Sequence, residues 1–248
     1  MKITFLGTNG WYDSPTGNTV CIHVETAAHH IIFDAGSGFA KAADRVNADR
    51  AKPVFLFLSH FHLDHIIGLH TLVQLEVPHL TLCGPAGTRK VLETLVNVPF
   101  TVPLSELPYE TTILELPDDQ AALPFECTAL PLLHESLTLG FRIGIDGKSA
   151  SYCTDTGYCD NGVQLSRRCD LLIAECAYRV GERDPGWPHL NPEDAARMAA
   201  AAEAKALVLT HFDAGRYKTL EDRKEAEREA RKVFPRTTAS VDGMVIEL

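Results

Sequence analysis

The chain has 248 residues, 45% hydrophobic and 23% charged, enough to bury a core without disulfide staples and ordinary for a globular protein. Its formal net charge of -10 disfavours a phosphate-backbone partner at long range, although a local basic patch can override that. No apolar run approaches the roughly 20 residues that span a bilayer, the opening residues read as a strand and turn rather than a secretory leader, and the seven scattered cysteines, with no CxxC pair, fit reduced thiols in a cytoplasmic protein.

Taken in chain order, residues 2–6 read as a strand that breaks at Gly7-Thr8-Asn9-Gly10. Residues 19–24 and 30–34 read as two more, the second closed by Asp34-Ala35-Gly36, and residues 39–46 have helical spacing. The continuous apolar run 54–58 predicts a strand buried on both faces. Helical spacing returns over 66–75 and, after a short strand at 80–83 ended by Gly84-Pro85, over 88–96. The middle third is strand-like at 111–116, 125–133, 138–145 and 149–154, with Asp146-Gly147 as a hairpin turn. The last third alternates: strand 171–174, helix 192–204 opened by Pro192 behind an Asn191 cap, strand 206–209, charged helix 220–233, and two short strands within 238–248 around Asp242-Gly243. Two runs of strands with helices interspersed predict an α/β fold of two sheets packed face to face with helices outside, a four-layer αββα sandwich. With no repeat, low-complexity segment or Pro/Gly/Ser-rich linker, residues 1–248 read as a single domain.

The strongest local signal is Ser59-His60-Phe61-His62-Leu63-Asp64-His65, directly after the buried strand. In extended backbone His60 and His62 project to one side, and Asp64 and His65 sit at the turn into a helix, where side chains converge. Three imidazoles and a carboxylate within six residues suit zinc, with manganese or iron as alternatives. A satisfied core histidine explains one such residue, not this density of ligand types. Three later residues each end a predicted strand: His134, Asp155 and His211. Singly each is weak, His134 reading as a loop histidine and Asp155 as a turn residue; together they complete a set.

His60-x-His62-x-Asp64-His65 resembles the HxHxDH signature of the metallo-β-lactamase superfamily residue for residue. The resemblance extends over nearly the whole chain through Leu6-Gly7-Thr8, Phe33-Asp34-Ala35-Gly36, His134, Asp155 in Tyr152-Cys153-Thr154-Asp155-Thr156-Gly157, and His211 in Thr210-His211-Phe212. It implies two divalent ions, one held by His60, His62 and His134, a second by Asp64, His65 and His211, with Asp155 bridging them. A carboxylate rather than a cysteine at 155 goes with two-metal hydrolases in that family. Asp34 reads as a residue that fixes the loops beneath the metals; His23, His29, His30, His70 and His79 match no ligand position.

Glu175, in Ala174-Glu175-Cys176, and His189, in Pro188-His189-Leu190, look like the glutamate segment and histidine motif of the ribonuclease Z branch, where the pair positions a proton donor. A salt-bridged glutamate and a loop histidine are the plainer alternative. Asp64, His189 and Glu175 are the candidate catalytic residues, Asp64 doubling as a ligand. Trp187 reads equally as a pocket wall or as an exposed aromatic beside proline, and Asn18 as a support of the substrate-side loop.

Two metal ions can activate a shared water and neutralise a phosphate, so the expected reaction is phosphodiester hydrolysis. Between residues 69 and 136 the chain is compact and acidic and lacks the basic, glycine-rich arm of ribonuclease Z, and few basic or stacking residues accompany the motifs. A small or cyclic phosphodiester, as in the small phosphodiesterases of carbon–phosphorus lyase pathways, is therefore the expected substrate, with RNA disfavoured, no membrane partner, and a homodimer left open. The other readings are a ribonuclease Z-like tRNA 3′-processing endonuclease, a thioesterase of the glyoxalase II type, and a metal-stabilised binding module.

Overall fold

The computed structural model describes all residues, Met1–Leu248. Its strands are β1 Lys2–Gly7, β2 Asn9–Gly10, β3 Cys21–Glu25, β4 His30–Phe33, β5 Val54–Phe57, β6 His79–Gly84, β7 Glu110–Glu115, β8 Glu126–Pro131, β9 Leu139–Ile145, β10 Lys148–Cys153, β11 Leu171–Glu175, β12 Leu207–Thr210, β13 Phe212–Asp213, β14 Thr237–Ala239 and β15 Val245–Glu247. Seven form one sheet in the order β15-β1-β3-β4-β5-β6-β7, and six form a second in the order β14-β12-β11-β10-β9-β8. A two-stranded ribbon joins β2 to β13.

Side-chain alternation sorts these strands into layers. From β4 and β5, Ile31, Phe33, Phe55 and Phe57 enter a core shared with Phe141, Tyr152 and Ile173 of the other sheet. Their neighbours Ile32, Val54 and Leu56 point the other way, into a second core under the helices that follow β4, β5 and β6. Leu172, Ala174, Leu207 and Leu209 form a third core with Ala195, Met198, Ala226 and Ala230 of the last two long helices. Three cores between layers mean four layers, the αββα sandwich expected from the sequence. No helix is long and apolar enough to cross a membrane.

The helices are α1 Ala42–Ala48, α2 Leu63–Ile66, α3 Thr88–Leu95, α4 Asp160–Leu165, α5 Pro192–Ala201 and α6 Leu220–Arg231. Asn191 Oδ1 accepts from the Asp194 amide at 2.8 Å to cap α5, with Pro192 in the first turn, and Thr219 and Asp222 form a capping box on α6. Both Asp146 (φ 54°) and Gly147 (φ 70°) are left-handed, as a two-residue hairpin between β9 and β10 requires.

The expected single helix over 66–75 is instead α2 followed by a 3-10 segment, Ile67–Gln74. Gly68 lies here against the Gly36 carbonyl, an approach too close for any Cβ. The expected strands within 238–248 both exist but do not pair with each other. Instead β14 extends the second sheet beside β12, and β15 crosses back to flank β1.

Phe141 is fully buried between Phe33 and Phe57, with ring centroids at 6.1 Å and 5.2 Å. Phe141→Ala should destabilise the fold by about 3–5 kcal/mol, the range for a large aromatic deleted from a close-packed core. A urea midpoint shift equivalent to less than about 1 kcal/mol would show that the two sheets do not close on this residue.

Candidate metal centre

The sequence brings its ligand-type residues to one sheet edge because each follows the end of a strand. His60, His62, Asp64 and His65 follow β5, His134 follows β8, Asp155 follows β10 and His211 follows β12. One ligand atom each from His60, His62, His134 and Asp155 lies within 4.8 Å of the others, and the same holds for Asp64, His65 and His211. Asp155 faces both groups. Its Oδ2 is 3.7 Å from His60 Nε2 and from His134 Nε2, and its Oδ1 is 3.1 Å from His65 Nε2 and from His211 Nε2. The division into two groups about one carboxylate is the one the family resemblance implies.

The donor set fits a cation. His65 Nδ1 donates to Asp34 Oδ2 at 2.8 Å, which leaves Nε2 as the lone-pair nitrogen, 3.1 Å from His211 Nε2. Two imidazole nitrogens that close need a proton or a metal ion between them. His60 Nε2 is buried with no hydrogen-bond partner in the protein, a cost that a ligated ion removes.

Electrostatics follow the same geometry. Burial lowers the pKa of His60 and His134, and the Asp155 carboxylate only partly offsets it. Burial acts likewise on His65 and His211, but for these the carboxylates, Asp155 foremost, win and raise the pKa. Burial disfavours the Asp155 anion, yet His211, His65 and His60 hold its pKa well below the usual carboxylate range.

Backbone strain is concentrated here. Four of the seven non-glycine residues with positive φ are Trp11, Asp34, Asp155 and His211. Asp34, fully buried, accepts from the Ser59 amide at 2.7 Å, Ser59 Oγ at 2.8 Å, His65 Nδ1 at 2.8 Å and Tyr152 Oη at 2.7 Å. It supports Ser59 and His65 and belongs to neither candidate ligand group. His23 and His30 are bonded to each other at 2.9 Å, and neither belongs to the ligand groups.

Glu175 and His189 are in contact. Glu175 is fully buried at the end of β11, and its Oε1 accepts from His189 Nδ1 at 2.6 Å and from the Thr156 amide at 2.6 Å. Burial pulls the His189 pKa down, but the Glu175 carboxylate overcomes it and the pKa is pushed up to about 9. With Nδ1 engaged, Nε2 is the nitrogen left free. His189 lines a cleft of about 170 Å³ together with His62, Trp11, Tyr178, Trp187 and Arg216. Trp187 is thus a pocket wall. Asn18 lies further off, its amide donating to Asp242 Oδ2 at 3.0 Å.

Sequence reasoning passed over Trp11, Tyr178 and Arg216. Trp11 donates its backbone N–H to Asp64 Oδ2 at 2.7 Å, a contact between residues 53 positions apart that no local spacing announces. The only local signal was an indole immediately after a strand-ending glycine turn.

Residues 29–212 match the description "Beta-lactamase superfamily domain". A protein named ribonuclease Z from Nostoc punctiforme is 27% identical over 308 aligned positions, covering 100% of this chain and 96% of its own length. The alignment is longer than this chain, so segments of that relative have no counterpart here. Among solved structures, the metallo-beta-lactamase fold protein YhfI from Bacillus subtilis superposes with a TM-score of 0.82 at 25% identity, covering 100% of this chain and 98% of that one. The short form of human tRNase Z does so with a TM-score of 0.76 at 25% identity, covering 100% and 99%.

Asp155 is the residue whose two carboxylate oxygens face both groups, so Asp155→Ala should bind less metal per chain than the parent protein. Elemental analysis after reconstitution and desalting measures this directly. A variant that keeps the full metal load of the parent protein would remove Asp155 from the ligand set.

Proposed function

Because the chain belongs to the β-lactamase superfamily and is a metal-dependent hydrolase of that fold, we propose that it is a two-metal phosphodiesterase acting on a small or cyclic phosphodiester. In this reading His60, His62 and His134 hold one ion, Asp64, His65 and His211 the other, and Asp155 lies between them. Zinc is the first choice, with manganese or iron as alternatives. When bound, such a pair supplies an activated water near neutral pH and neutralises charge on the phosphate.

The observation that carries the reaction class is the Glu175–His189 hydrogen bond at 2.6 Å, at the edge of the ligand set. Cleaving a diester with an alkoxide leaving group requires a proton at that oxygen. His189 can deliver one from Nε2, while Glu175 holds the ring by Nδ1 and stabilises its charged form. The same carboxylate receives the Thr156 amide, so it fixes the proton donor and the loop that carries Asp155 as one unit. Thioester hydrolysis has less need of this pair, because a thiolate leaves without a proton.

The cleft supports a small substrate. At about 170 Å³ it falls below the roughly 300–1,000 Å³ of sites that engulf drug-sized ligands. Its guanidinium, Arg216, is already paired with Glu182 at 3.0 Å and Asp213 at 2.5 Å, so it offers little net charge to a polyanion. A second reading, a tRNA 3′-processing endonuclease, is favoured by one observation, the similarity along the whole chain to proteins named ribonuclease Z. Hydrolysis of a cyclic phosphodiester compared with cleavage of a precursor tRNA decides between the two.

His189→Ala should retain both ions. Its rate on a diester with a poor alkoxide leaving group should fall by about 10²–10⁴, the usual loss for a general acid, and its rate on a p-nitrophenolate diester should fall far less. Glu175→Gln should show the same pattern more mildly. Equal losses on the two leaving groups would assign His189 to substrate binding or folding instead, and loss of metal would make it a ligand.

A further inference from the structure

The chain has two tryptophans, Trp11 and Trp187, and both stand in the cleft beside the ligand set. Proton transfer and metal binding as described leave them without a task. Trp187 lies nearly parallel to His62, at 5.9 Å between centroids and 11° between planes, and meets His134 edge-on at 5.7 Å. One indole face is therefore committed to the metal side. Trp11 meets Trp187 at 6.2 Å and 75°, so the two rings form a corner rather than a stack.

Trp11 is held there against two costs. It is 59% exposed, leaving a large apolar surface in water, and its backbone has φ 76°, a left-handed conformation rare for a bulky residue. The surroundings enforce it. Its amide is bound by Asp64 Oδ2, Gly10 packs where a Cβ would strike the His211 ring, and Asn9 Nδ2 donates to the Tyr12 carbonyl at 3.2 Å and the Gly17 carbonyl at 2.8 Å. Tyr178 adds a third aromatic side chain, with the Arg216 guanidinium 4.9 Å from its ring centre. Tyr178 is buried, with Arg216 over its ring, so it backs the corner rather than offering a face. The exposed Trp11 indole reads a flat ring by stacking; hydroxyl-rich groups need hydrogen-bonding partners that an indole face does not supply.

We propose that Trp11 and Trp187 form the selectivity wall of this site, and that the diester it takes carries a planar ring, an aryl group or a nucleobase, on one ester arm. The wall stands on the aromatic geometry; only the diester chemistry rests on the phosphodiesterase reading above. Trp187, packed on His62, fixes the corner, and Trp11 supplies the open face.

Because no other tryptophan exists in the chain, tryptophan emission of the metal-loaded protein, excited on the red edge where the six tyrosines do not absorb, reports this corner alone. Titration with phenylphosphonate should give a saturable change with a Kd about tenfold or more below that of methylphosphonate, within the usual range for one aromatic stack. Trp11→Ala should bring the two Kd values together, read through Trp187, while Trp11→Phe should keep most of the gap. In turnover, methyl thymidine 5′-phosphate should exceed the same diester lacking its base in kcat/KM, and Trp11→Ala should collapse that ratio. Equal Kd values for the two phosphonates, or equal losses on both diesters, would overturn the wall while leaving the phosphodiesterase reading intact. A ring preference in binding with no turnover of either diester would uphold the wall and sink the reaction.

Discussion

The site depends on one buried carboxylate that is not itself among the ligand groups. Asp34, at the end of β4, gathers donors from Ser59, His65 and, across the sandwich, Tyr152 of the second sheet. The carboxylate is fully buried, so each of those hydrogen bonds is costly to leave unmade. The four donors tie the end of β4 to β10 of the other sheet and engage Nδ1 of His65, so that its Nε2 is the nitrogen turned to Asp155 and His211. Without that contact His65 could turn its ring away from Asp64 and His211.

The molecule uses the same device twice. Asp34 holds His65 by Nδ1, and Glu175 holds His189 by Nδ1, each at the end of a strand and each fully buried. The consequences differ because the surroundings differ. His65 Nε2 ends among Asp64, Asp155 and His211, where a cation is the natural partner. His189 stands outside both candidate ligand groups, on the cleft wall. In the proposed reading the same carboxylate–imidazole pair would support a metal ligand in one place and a proton donor in the other, decided by what faces the free nitrogen.

The roof of the site is tied to its floor. The Trp11 amide and the His211 imidazole both reach Asp64 Oδ2, and β2 and β13 bring the segments carrying them side by side. Any ligand that presses on the indole therefore acts on a segment bonded to a candidate metal ligand. Arg223, buried in α6, braces the same segment from behind through Thr8 at 2.7 Å and Thr16 at 3.2 Å.

By itself the sequence determined the layered α/β class, the longer strands to within a few residues, and the ligand-type residues. Those features are local: alternation sorts a strand's faces, a buried apolar run marks β5, and His60, His62, Asp64 and His65 lie within six positions of one another. The pairing of Glu175 with His189 was expected from the family resemblance rather than from spacing, and the structure brings the two into contact at 2.6 Å through Nδ1. Helix α4 was missed because Asp160, Asn161 and Gly162 have weak helix propensity and packing alone makes them helical. Only the tertiary structure decided that β14 and β15 part to different sheets, that Asp155 turns one oxygen to each ligand group, and that Trp11 meets Trp187 across 176 residues of chain. Each of these is a contact between segments distant in sequence, set by how the layers pack and which nitrogen or oxygen is left free. No propensity, period or spacing encodes that, because the energy that selects it exists only once the layers have met.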